Sequence, residues 1–115
     1  MCQPRKHLPG DEELKMEIIS KKDGSKLTVT IIGDLTAQTV TELNTLIDEE
    51  LEDVTDIVFK LDGLNYTSSA GLRAFLRTWK VMDKKGGTAV IEGITETVKS
   101  IFMVSGFDRF LEIRD

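Results

Sequence analysis

Apolar residues recur along this chain with two different periods, and the switches between them mark the elements. Leu27, Val29 and Ile31 alternate with Thr28 and Thr30, so Lys26–Ile32 reads as a strand with one apolar face. Met16–Ser20 reads as a strand ahead of it. Lys21–Ser25 joins the two and contains Asp23-Gly24, a dipeptide that favours hairpin turns. Gly33-Asp34-Leu35 ends the second strand. Thr39 and Glu42 then have the spacing of a capping box, and Val40, Leu43, Ile47 and Leu51 form a helical stripe, with Asp48, Glu49 and Glu52 on the solvated side. Asp56–Leu61 is a nearly continuous apolar run that suits a central strand covered on both faces. After a loop at Asp62–Thr67, a second helix is expected from about Ser69 to Lys84, with Leu72, Phe75, Leu76 and Trp79 inward. Gly86-Gly87 stops it. Thr88–Glu92 reads as a short buried strand. Glu96–Ser105 reads as a third helix closed by Gly106, with Phe107 folding back on Phe102. Leu111–Ile113 adds an edge strand.

The order is β-β-α-β-α-β-α. Parallel neighbours need crossover helices, so the expected architecture is α/β, a mixed sheet of four to five strands with helices packed mainly on one face. Residues 1–14 carry no apolar period and read as a flexible tail; residues 15–115 read as a single domain. The chain is too short for a complete doubly wound dinucleotide domain.

Composition narrows the function more by exclusion than by indication. Lys and Arg total 15 against 20 Asp and Glu, a net charge of −5, which lacks the basic face that a direct nucleic-acid binder needs. One cysteine, Cys2, forbids an intrachain disulfide and reads as an inert tail thiol. With His7 the only histidine, the common zinc sites are missing, and no metal or cofactor is expected. No apolar run reaches the ~20 residues of a membrane span, and the basic N-terminus has no apolar core of a signal peptide. The expectation is a soluble cytoplasmic domain that does not insert into membranes.

Ser69 lies at a strand–turn–helix corner, where a hydrolase would place its nucleophile. The first glycine of the G-x-S-x-G elbow is absent, and His7 stands upstream of every element, so no triad is available. No Gly-rich phosphate loop precedes a helix. The protein is therefore not expected to be an enzyme. What remains is Leu64–Arg73, which leads from the carboxyl end of the central strand to a helix start, where open α/β sheets gather ligand and partner sites. It carries four successive hydroxyls, Tyr66, Thr67, Ser68 and Ser69. Taken locally, the simpler reading is that Ser68 or Ser69 is just an N-cap.

The segment Leu61-Asp62-Gly63-Leu64-Asn65-Tyr66-Thr67-Ser68-Ser69-Ala70-Gly71-Leu72-Arg73 resembles the signature loop of STAS domains, found in bacterial anti-sigma-factor antagonists and in sulphate-transporter tails. Ile32-Gly33-Asp34-Leu35, Gly86–Ile91 and Val98–Phe110 are similar to other stretches of that family, so the resemblance runs from about Met16 to Ile113.

The resemblance implies a non-enzymatic antagonist that binds an anti-sigma factor with serine-kinase activity. Phosphorylation switches it off, which regulates sigma-factor release and transcription. It places the phosphoacceptor at Ser69. Crossover geometry should bring the Gly33–Thr36 turn to the same sheet edge as this loop, so the partner surface is expected at Gly33, Asp34, Thr36, Thr67, Ser68, Gly71 and Arg73. Arg73 and Arg77, four residues apart and off the buried side of the helix, are expected as two cations flanking the hydroxyls. Two positions depart from the family pattern: Ser68 and Thr36 stand where Asp is usual. The same resemblance also allows a STAS subunit of another assembly, such as a lipid-transport or stress-sensing complex, that binds without phosphorylation. Neither reading fixes the oligomeric state.

Overall fold

In the computed structural model, residues 5–6 and 16–114 are described. The elements are β1 (Arg5–Lys6), β2 (Met16–Asp23), β3 (Lys26–Leu35), α1 (Val40–Glu50), β4 (Asp56–Lys60), β5 (Leu64–Thr67), α2 (Ser69–Lys84), β6 (Thr88–Glu92), α3 (Glu96–Val104), a 3-10 turn (Phe107–Arg109) and β7 (Glu112–Arg114). The main sheet runs β1-β2-β3-β4-β6-β7, with β5 joined to β3 as a seventh strand beyond the end of β4. β1–β2 and β2–β3 are antiparallel; the remaining pairs are parallel, giving the expected mixed sheet.

Register explains why one face is covered. Ser20, Val29, Phe59 and Ile91 align across four strands, and all four are buried. The next row on the other face, Ile19, Thr30, Lys60, Glu92 and Arg114, is largely polar. α2 lies against β5 and β6, α3 against β5, and α1 beside α2. Phe59, Phe75 and Phe102 form the centre of the core, with ring centroids 4.9 Å apart for the first pair and 5.4 Å for the second.

Several expectations are corrected here. β4 is covered on one face only. Asp56 and Val58 are half-buried and Lys60 is exposed, because the charged ends of Asp-Ile-Val-Phe-Lys point to the open side. Residues 62–67, expected to form a loop, contain β5. The buried side of α2 consists of Gly71, Leu72, Ala74, Phe75, Thr78 and Met82, so Leu76 and Trp79 fall at its margin. Trp79 instead stacks obliquely on Phe110 at 5.1 Å, which closes the margin of the core. In the region read as an unstructured tail, Arg5–Lys6 pair with Ile19–Ser20. The rest of that region, with Cys2 and His7, lies outside the described residues.

Other local readings hold. Gly24 makes the hairpin turn at φ 64°, and Gly106 closes α3 at φ 78°. Phe107 packs on Phe102 with ring centroids 6.3 Å apart. Among the described residues, no helix is long and apolar enough to cross a membrane.

Candidate functional site

The site is built where β3 changes partners. Lys26–Thr30 pair with β4, then Gly33–Leu35 pair with β5, with a register shift between Gly33 and Asp34 inside that pairing. Gly33 adopts φ 107°, a conformation other residues rarely reach, and its N–H donates to the Gly63 carbonyl at 2.9 Å. Asp34 is then in register with Tyr66, and Leu35 with Thr67. The Ser68 N–H extends the ladder, donating to the Leu35 carbonyl at 2.8 Å. The turn after β3 and the start of α2 are thus brought to one edge, as the crossover argument requires.

Ser68 occupies the N-cap position with extended backbone (φ −86°, ψ 177°), and its carbonyl accepts from the Leu72 N–H at 3.1 Å. Its hydroxyl does not cap the helix; Ser68 Oγ is buried and meets no hydrogen-bond partner among the described residues. Ser69 is the first residue of α2 and is exposed. The free N–H groups and positive dipole end of a helix favour an anion at that position. Tyr66 is exposed beside it, and Arg73 is exposed one turn later.

Thr67 and Gly71 are buried and shape the site from inside. A Cβ on Gly71 would lie 2.2 Å from Thr67 Oγ1, so only glycine lets α2 approach β3 and β5 this closely. Thr36 is half-buried at the entry to α1. Its hydroxyl accepts from the Gln38 and Thr39 N–H groups at 3.2 and 3.3 Å. Thr36 therefore supplies an acceptor that an Asp could otherwise provide. The expected capping box is not made by Thr39. Its hydroxyl donates to the Asp34 carbonyl at 2.8 Å and accepts from the Thr36 N–H at 2.7 Å, so it ties the turn instead.

Two features escaped the sequence reading. One is a groove of about 520 Å³ between α1 and α2, lined by Val40, Asn44, Ala70, Arg73, Ala74 and Arg77. The other is the fate of Arg77, expected to flank the hydroxyls as a second cation. It reaches Asn44 at 3.2 Å and forms an ion pair with Asp48, both on α1. The i, i+4 spacing of Arg73 and Arg77 showed their shared face, but it could not show that α1 carries a counter-charge.

The same architecture occurs in proteins of known role. The chain is 23% identical over 100 residues to an anti-sigma-B factor antagonist of Bacillus subtilis, covering 87% of this chain and 92% of the relative. An anti-sigma factor antagonist from Mycobacterium paratuberculosis superposes with a TM-score of 0.77 at 16% identity, over 86% of this chain and 85% of that one. The Bacillus cell fate determinant SpoIIAA in its phosphorylated form superposes at 0.69, also with 16% identity, over 84% and 89%. The STAS domain model matches residues 17–115, which runs from the second residue of β2 through β7 and takes in every residue of the site just described. On that match across nearly the whole chain, the protein belongs to the STAS domain family.

Proposed function

We propose that this protein is an anti-sigma-factor antagonist, a binding module rather than an enzyme, whose partner is an anti-sigma factor with serine-kinase activity. Ser69 is the phosphoacceptor. Gly33, Asp34, Thr36, Ser68 and Arg73 form the docking face, and Thr67 and Gly71 hold it in shape. The observation that carries this reading is the exposed Ser69 hydroxyl at the first position of α2, on a segment pinned to β3 through the Ser68 N–H. The names of the relatives support it, and one superposed neighbour is itself described in a phosphorylated form.

The physics suits a switch at the interface. A phosphate on Ser69 brings a charge of about −2 and three acceptor oxygens with their hydration. A docked partner must desolvate that group or withdraw. The domain needs no rearrangement for this to act.

The test is binding and phosphate transfer with purified anti-sigma-factor kinases. Wild type and Ser69→Ala should bind, Ser69→Asp should bind at least about tenfold more weakly, and only wild type should accept phosphate from ATP. Phosphate found by mass spectrometry on Ser68 or Thr67 instead would overturn the assignment. One observation favours a second reading. Ser68 and Thr36 replace usual acids, which suits a STAS subunit of another assembly, such as a lipid-transport or stress-sensing complex. Binding that is indifferent to Ser69→Asp would select it.

A further inference from the structure

Ser69 and Arg73 stand four residues apart on α2, and both are exposed. Helical side chains lean toward the helix N-terminus, so each covers the surface about one turn before it. Residues at i and i+4 on a helix have Cβ atoms about 6 Å apart, so the long Arg73 side chain has the reach to bring its guanidinium to a group carried on Ser69. Arg77, the next cation along this face, is held by Asp48 and Asn44. Arg73 makes no ion pair or hydrogen bond among the described residues.

We infer that Arg73 captures the phosphate once Ser69 is modified and is thereby withdrawn from the docking face. This rests on the reading of Ser69 as the phosphoacceptor. In the unmodified protein a free cation stands beside a neutral hydroxyl. After modification the phosphate occupies that cation through charge-assisted hydrogen bonds from the guanidinium. Phosphorylation then acts twice at one spot: it adds an anion, and it removes the positive group that an acidic partner surface would meet. The charged groups on the neighbouring elements are Asp34, in register with Tyr66 on β5, and Glu42 in the first turn of α1.

Phosphoserine installed at position 69 during translation tests this without any kinase. The second phosphate ionisation, ordinarily near pH 6, is followed by phosphorus NMR. It should fall about 0.3–0.5 unit lower in the wild-type background than in Arg73→Gln, with Arg73→Lys between them. The difference should narrow at about 0.5 M NaCl. The Arg73 Nε–H resonance should also move on modification, and Arg77→Gln should leave the ionisation unchanged. Equal ionisation in wild type and Arg73→Gln overturns the inference, as does an unmoved Nε–H signal or a shift that follows Arg77 instead. Arg73 is exposed, so each variant should melt like wild type. Failure of a kinase to modify Ser69 would count against the phosphoacceptor reading alone, because this measurement does not use one.

Discussion

Gly71 packs so tightly against Leu35 that a Cβ placed on it would lie 2.7 Å from Leu35 Cδ2 and 2.9 Å from Leu35 Cγ. Both distances are far inside van der Waals contact, and Thr67 Oγ1 closes the other side. Gly71→Ala gains helix propensity of about 1 kcal/mol but forces the start of α2 off the sheet. The clash should win, with a net loss of about 1–3 kcal/mol in urea unfolding. Amide shifts should concentrate at Leu35, Thr67 and Ser69. Unchanged stability would show that the helix start has room to slide.

Phe75 bridges Phe59 and Phe102 at the centre of the core and is fully buried. Phe75→Ala should cost about 3–5 kcal/mol. Trp79→Ala should cost about half of that, because Trp79 is half-buried and leans on the exposed Phe110. Equal losses in chemical denaturation would place Trp79 in the core after all.

Lys85 follows α2 and reaches across to the end of α1. Its ammonium donates to the carbonyls of Leu51 at 2.5 Å, Val54 at 3.0 Å and Glu52 at 3.1 Å. These carbonyls lie at and just beyond the C-terminus of α1, where a cation is favoured. Lys85→Met should lower stability by about 1–2 kcal/mol and loosen the connection before β4. Retained stability with faster proteolysis between residues 51 and 55 would assign the lysine a purely local role.

The Lys22 ammonium donates to Asp53 at 2.5 Å. That hydrogen bond, with a backbone one at Asp53, holds the Asp53 carboxyl below its ordinary value. A depressed carboxylate contributes stability above its ordinary ionisation range and loses it as pH falls through the folded-state value. Carbon NMR of Asp53 should report a low midpoint that moves up in Lys22→Met. Asp53 is exposed and Lys22 only half-buried, so global unfolding should change little.

Arg73→Glu should slow association with an acidic partner and make the rate less dependent on salt, while dissociation changes less. Identical rates for wild type and variant across a salt titration would remove Arg73 from the encounter face.

The periodic elements were legible because each has one buried face. Leu27, Val29 and Ile31 announce β3, and Val98 with Phe102 announces α3. β5 was not legible. Its buried residues are Leu64 and Thr67, three apart, and the exposed Asn65 and Tyr66 between them break the alternation that marks a strand. Its backbone pairing with β3 stabilises it instead, and pairing leaves no periodic trace. The buried side of α2 lies to one side of its stripe of large apolar residues, because Gly71, Ala74 and Thr78 belong to it and small residues are what a helix needs to lie close on a sheet. The position of Ser69 was visible from its neighbours in sequence. The occupation of Arg77 was not, because its partners Asp48 and Asn44 are 29 and 33 residues away.

The partner change along β3 also fixes how fast this edge can open. One ten-residue strand holds β4 along its first half and β5 along its last three residues, and the Ser68 amide is the next rung of that ladder. Hydrogen exchange at Ser68 therefore has to wait for the central strand to separate, which places its protection near that of the sheet interior rather than that of a surface turn. A partner that meets Ser69 finds backbone already ordered, so little conformational entropy is lost on docking. Association is then limited by encounter and orientation, and differences in affinity among variants of this surface fall mainly on the rate of departure.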